Sequence, residues 1–147
     1  MSVDVTVEQE IARDRETVAG FVMDPANDTR WIKALTSVRR LDGDGPVGAG
    51  TRVERVASFL GRRIEYVNEI VALEPGRRLA MRSVKAPFPM EVTYELEDAP
   101  RGTRMRIRAG GEAGGFYRVA GPLLGAAVRR GIEKDLSELK RLMEAER

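Results

Sequence analysis

The feature that most limits what this chain can fold into is a change of period after residue 109. Upstream, apolar and polar side chains alternate. Downstream, Phe116, Val119, Ala120, Leu123, Leu124, Ala127, Val128, Ile132, Leu136, Leu139, Leu142 and Met143 recur at three- and four-residue spacing, the mark of a helix with one apolar face. A helix from Phe116 to Ala145 would be about 45 Å long. Its stripe needs a partner, and the inner face of a sheet built from the upstream strands is the one on offer. Pro122 interrupts the span and predicts a kink, or a start at Gly121.

The upstream text supplies that sheet. Val3, Val5, Val7 and Ile11 alternate with Asp4, Thr6, Glu8 and Glu10, which predicts a half-buried strand. Asp14 then opens a short helix whose Val18, Phe21 and Val22 share a face. Asp24-Pro25 opens a second, closed by Trp31 and Ile32, because Asp favours the N-cap and Pro the first helical position. From Leu35 to Ala109 strands alternate with turns. Thr51 to Phe59, Arg63 to Leu73 and Leu79 to Val84 read as strands, and Pro87-Phe88-Pro89 marks an edge or a break.

The clearest hairpin joins Phe88–Leu96 to Thr103–Ala109 across a turn at Asp98 to Gly102. One register pairs Glu97 with Arg104 and Glu95 with Arg106 on the outer face. The same register places Leu96 beside Met105 and Tyr94 beside Ile107 on the inner face. Opposite charges facing each other support such a pairing. The run Gly110 to Gly115 is expected to release the chain from the sheet, as a sharp connector or a pocket lid. The expected architecture is α+β: a curved seven-stranded antiparallel sheet wrapped around a long C-terminal helix, with two short helices after strand 1, in one domain over 1–147.

Composition removes much chemistry. The chain has no His and no Cys. Disulfides, thiolate nucleophiles and Cys-based zinc sites are excluded. So are Ser-His-Asp and Cys-His catalysis and His-ligated metals. No metal and no cofactor is expected, and catalysis would fall to carboxylates, Tyr, Lys or Arg. With 25 basic against 23 acidic residues, the net charge is +2. Arg pairs such as Arg62-Arg63 and Arg129-Arg130 lie close to acids, so a solvated surface is expected and nucleic acid is not. No export signal and no run of roughly 20 apolar residues is visible. The expectations are a cytoplasmic location, no membrane insertion, and a monomer or homodimer.

Two motifs dissolve on inspection. Gly43-Asp44-Gly45-Pro46-Val47-Gly48 spells G-x-G-x-x-G, but a dinucleotide loop must open a helix, whereas Thr51 to Val56 reads as a strand. Asp42-x-Asp44 lacks the later oxygen ligands and glycine of a calcium loop.

Polar groups on inward-facing strand positions are the residues to weigh. Ile64, Tyr66, Asn68 and Ile70 share one parity, yet valines occupy the other, so the residues alone leave open which faces inward. The same holds for Arg55, which shares parity with Val53, Ala57 and Phe59. Asn68 on the inner side would help orient a ligand; on the outer side, or at a bulge, it would not. Trp31 is read first as a plug between helix and sheet and second as a cap on a pocket. The pocket candidates are Trp31, Arg55, Tyr66, Asn68, Met81, Met90, Tyr94, Phe116, Ala120 and Leu124. The pocket is expected beside the Gly- and Ala-rich half of the helix, Phe116 to Val128, with Ile132 to Met143 as plain core.

The order strand, two short helices, six strands and a long helix resembles the helix-grip fold of the START-related (SRPBCC) superfamily. Its polyketide cyclase/dehydrase branch is the nearest likeness. The residues that carry it are Asp24-Pro25-Ala26-Asn27-Asp28-Thr29-Arg30-Trp31, Gly48-Ala49-Gly50-Thr51-Arg52, Leu73-Glu74-Pro75-Gly76-Arg77-Arg78-Leu79 and the Gly-rich exit into the last helix. The resemblance implies a hydrophobic or aromatic, lipid- or polyketide-like small molecule held between sheet and helix. It transfers no catalytic residue, since fold does not imply function. A polyketide cyclase, aromatase or dehydratase using Tyr, Arg or carboxylate chemistry is the alternative, with Tyr66, Tyr94, Tyr117 and Arg55 to offer. A protein-interaction module is the third.

Overall fold

A computed structural model describes residues 2–86, 89–112 and 116–145, with side chains from 123 onward in the last span. Strand β1 (Ser2–Ile11) leads into helix α1 (Arg15–Val22), a 3₁₀ turn (Pro25–Asn27) and helix α2 (Asp28–Trp31). Strands β2 (Leu35–Arg40), β3 (Arg52–Phe59), β4 (Arg62–Glu74), β5 (Arg78–Lys85), β6 (Met90–Ala99) and β7 (Gly102–Glu112) follow. Helix α3 (Phe116–Ala145) completes the chain. The strands form one curled antiparallel sheet in the order β1-β7-β6-β5-β4-β3-β2.

Local chemistry explains the entry to the site. The Asp14 carboxylate accepts the Thr17 backbone N–H at 3.0 Å and caps α1. The Asp24 carboxylate does the same for Ala26 at 3.0 Å, so the chain turns twice before reaching Trp31. The β6–β7 hairpin has the expected register, Tyr94 opposite Ile107, Leu96 opposite Met105, Glu95 opposite Arg106 and Glu97 opposite Arg104. The G-x-G-x-x-G run lies in the loop between β2 and β3 and opens no helix.

Three expectations change. Gly110 and Gly111 stay in β7, paired with both β1 and β6, and Glu112 stays with them, paired with β1. Glycine serves close approach here: a Cβ on Gly111 would collide with the Pro89 carbonyl. The lid reading of this run rested partly on residues 113–115, which lie outside the described residues. Helix α3 begins at Phe116 rather than Gly121 and is continuous across Pro122. Leu123 leaves the apolar stripe, being 70% exposed.

Leu124, Leu136, Leu139 and Met143 are buried with Val3, Val5, Val7 and Ile11 of β1 in one cluster, each worth roughly 1.5–3 kcal/mol of burial. Helix α3 packs mainly on β1, and α2 touches both β2 and α3. No helix among the described residues is long and apolar enough to cross a membrane.

Candidate functional site: a cavity between sheet and helix

Burial in β3 and the cavity wall in β4 settle the open parities. In β3, Val53, Arg55 and Ala57 are buried, so the odd positions face inward. In β4, Ile64, Tyr66 and Asn68 face the same interior. Asn68 also lies at a register shift, where Val67 opposes Lys85 and Asn68 opposes Ser83. The bulge and the inward orientation, weighed above as alternatives, coincide.

These inward faces bound a cavity of about 240 Å³ under α2 and α3. Its apolar wall includes Ala57 and Phe59 of β3, Ile64 of β4, Val92 of β6, and Ile107 and Ala109 of β7. Of the sequence candidates, Trp31, Arg55, Tyr66, Asn68, Met81, Met90 and Tyr94 line it. Leu124 is fully buried in the core cluster and is not part of the wall. The side chains of Phe116, Tyr117 and Ala120 lie outside the described residues. From α3 the wall receives Val128, Ile132 and Asp135. The second half of the helix, expected to be plain core, therefore contributes two cavity residues. Helix α2 wedges between α3 and the sheet edge there, and its Trp31 ring stands edge-on to Tyr94, centroids 5.7 Å apart at 66°.

Polar groups gather near that wedge. Arg55 Nη1 donates to Asp28 Oδ2 at 2.6 Å, and the two side chains are only 4% and 3% exposed. Arg55 Nη2 faces the Met81 sulfur at 3.9 Å. Among the described residues Asp28 Oδ1, Trp31 Nε1 and Arg55 Nε are buried without a hydrogen-bond partner. Burial pushes the Asp28 carboxyl above the usual carboxylate range, against the pull of Arg55. The short charge-assisted contact identifies the two as an ion pair. Burial also raises both phenols, Tyr66 and Tyr94, so they stay protonated and able to donate.

Asp135 stands apart. Its Oδ1 accepts the backbone N–H of Lys33 at 2.9 Å, and no ion pair reaches it among the described residues, since Lys33 Nζ turns to Glu138 at 3.6 Å. Burial raises its pKa to about 6, offset in part by that N–H and the Lys33 charge. Asp28 and Asp135 are the charged residues of this region that sequence reasoning missed. Asp135 was visible in principle: it falls three residues after Ile132 and four before Leu139, an acid within the apolar stripe. Asp28 sat inside the motif that carried the resemblance, with nothing in its spacing to reveal Arg55 as its partner. Among the described residues no group of His, Cys, Asp or Glu is placed to hold a metal ion.

Solved structures share this architecture. The TTHA0849 protein of Thermus thermophilus superposes with a TM-score of 0.81 at 20% identity, covering 99% of this chain and 98% of that one. The Zhui aromatase/cyclase from a Streptomyces species gives 0.77 at 19% identity, over 98% and 93% of the two chains. Ara h 8.0201 gives 0.73 at 14%, over 99% of both. At these identities the likeness is one of fold. No curated protein matches the sequence. The family described as polyketide cyclase / dehydrase and lipid transport matches residues 2–144. With nearly its whole length matched and a helix-grip architecture around an apolar cavity, the chain belongs to that polyketide cyclase/dehydrase family of the SRPBCC superfamily.

Proposed function

We propose that this protein binds a hydrophobic, ring-bearing small molecule in the cavity between sheet and α3. The observation that carries the reading is the cavity itself: mostly apolar walls with a few polar groups among them, the usual build of a small-molecule site. A volume of about 240 Å³ is just below the roughly 300–1,000 Å³ of drug-sized sites, which suits a compound of one or two rings. Membership of a family described by polyketide chemistry and lipid transport supports an apolar ligand.

Two measurements test it. Native mass spectrometry of freshly purified protein should show a co-purified small molecule. Naphthylmethanol fluorescence should titrate to saturation at one site, and Ala57→Phe, which fills the cavity from β3, should remove that saturation. A titration unaltered by Ala57→Phe would sink the proposal.

Asp135 favours a second reading, proton transfer on a bound ketone. A carboxylate with a pKa of about 6 is tuned for general-base work near neutral pH. Asp135 would take a proton from the carbon next to the carbonyl. The electron pair would move to the carbonyl oxygen, where a Tyr66 or Tyr94 hydroxyl donates to the enolate. The resemblance of fold to an aromatase/cyclase is compatible with this chemistry. Exchange of the α-protons of tetralone in heavy water, followed by NMR, checks it. The rate should rise as pH passes about 6, and Asp135→Asn should lower it about a hundredfold or more. Equal exchange in the variant would contradict the reading.

A further inference from the structure

Charge at the cavity comes from two lining side chains, Arg55 and Asp135, and from Asp28, which pairs with Arg55. Arg55 contributes a cation from β3 and Asp28 an anion from α2, and they cancel in the 2.6 Å pair. Asp135, on α3, is the third, and among the described residues no cation pairs with it. The groups that face it from the other elements are neutral phenols, Tyr66 of β4 and Tyr94 of β6, together with the Arg55–Asp28 pair. From the link between α2 and β2, the Lys33 backbone N–H donates to it and the Lys33 charge acts on it, although the ammonium itself is directed at Glu138.

We infer that the cavity selects lipophilic amines, holding a protonated nitrogen against Asp135 among aromatic faces, and that it disfavours carboxylates. The inference rests on the binding reading above and not on proton transfer. An entering ammonium would meet a half-buried carboxylate with no ion-pair partner among the described residues, beside apolar walls that strengthen the attraction of opposite charges relative to bulk water. Trp31, Tyr66 and Tyr94 supply aromatic surface that favours cations. An entering carboxylate would find the Arg55 cation already engaged by Asp28, its Nε closed off and its Nη2 turned to a sulfur. It would raise the site from one net negative charge to two. A neutral alcohol would bind through its ring alone and fall between.

Three probes with one ring system and one substitution position separate these cases: naphthylmethylamine, naphthylmethanol and naphthoate, titrated by fluorescence or calorimetry. At about pH 7.5 the amine should bind about tenfold more tightly than the alcohol, and naphthoate about tenfold more weakly than the alcohol. The amine's advantage should shrink as the pH falls below about 6, where Asp135 takes up a proton. In Asp135→Asn, where an amide can still accept the Lys33 N–H, the ratio of amine to alcohol affinity should fall towards one. Naphthoate binding most tightly, or an amine-to-alcohol ratio indifferent to both pH and Asp135→Asn, would overturn the inference while leaving the binding reading intact. Failure of all three probes to bind would overturn both.

Discussion

The two sides of the sheet use the same kinds of charged residue to opposite ends. On the outer face Arg104 bridges Glu97 at 3.0 Å and Glu10 at 3.1 Å, and Arg106 reaches Glu8 at 3.4 Å. Arg108 meets Asp4 at 3.0 Å. This ladder crosses β1, β7 and β6 in contact with water. On the inner side a buried pair, Arg55 of β3 with Asp28 of α2, and a half-buried acid, Asp135 of α3, stand beside mostly apolar walls. In water each ion pair adds little, because solvent replaces whatever is lost. Inside, a charge without its partner is costly, because nothing replaces it. The outer charges set strand register, and the inner ones define the polar side of the cavity.

The largest expected effect comes from breaking the inner pair. Arg55→Met leaves Asp28 buried without its cation and should cost about 3–5 kcal/mol in urea unfolding. Replacing both residues, Asp28→Leu with Arg55→Met, should recover most of that loss, since the cost lies in the orphaned charge. A double variant as unstable as the single one would mean that the pair has another structural role.

Asp135 should give a smaller effect with a particular pH dependence. Its folded pKa of about 6 exceeds the roughly 3.9 of an unfolded Asp. The folded chain therefore holds this proton more tightly, and the associated stability is present below about pH 4 and lost as pH rises through about 6. Asp135→Asn lacks this loss. It should be about 2 kcal/mol more stable than the unsubstituted protein at about pH 7.5, with the gap closing on acidification. Asp28 is raised too, but it is present in both proteins and cancels in the difference. A gap that is constant with pH would place Asp135 in a well-hydrated setting.

The smallest effect belongs to the outer ladder. Arg106→Ala should move the urea midpoint less than either inner substitution, and the difference should vanish in about 1 M salt. A loss that survives high salt would show that the two faces are less different than their burial suggests.

What the sequence disclosed follows the same division. Strand register was legible because the β6–β7 charges and apolar residues agree on one alignment, and both are local patterns. The long helix was legible because its stripe repeats over many turns. The β3 and β4 parities were not, because Val56, Val67 and Val71 make the outward positions look as apolar as the inward ones. The Asp28–Arg55 pair joins residues 27 positions apart in sequence, and only tertiary folding brings them together. Asp135 was obscured by its neighbours: Glu133 and Lys134 are exposed and make the acid look like part of the solvated face.

The central claim is that the cavity is a ligand site, and the methionines test it most directly. Met81 and Met90 line the cavity, whereas Met105 and Met143 are buried elsewhere in the core and Met23 follows α1. With methyl-labelled methionine, naphthylmethanol titrated into the protein should shift the Met81 and Met90 methyl signals along one saturating curve. The Met105 and Met143 signals should stay in place. Shifts that never saturate, or that spare Met81 and Met90 while moving Met23, would contradict the account.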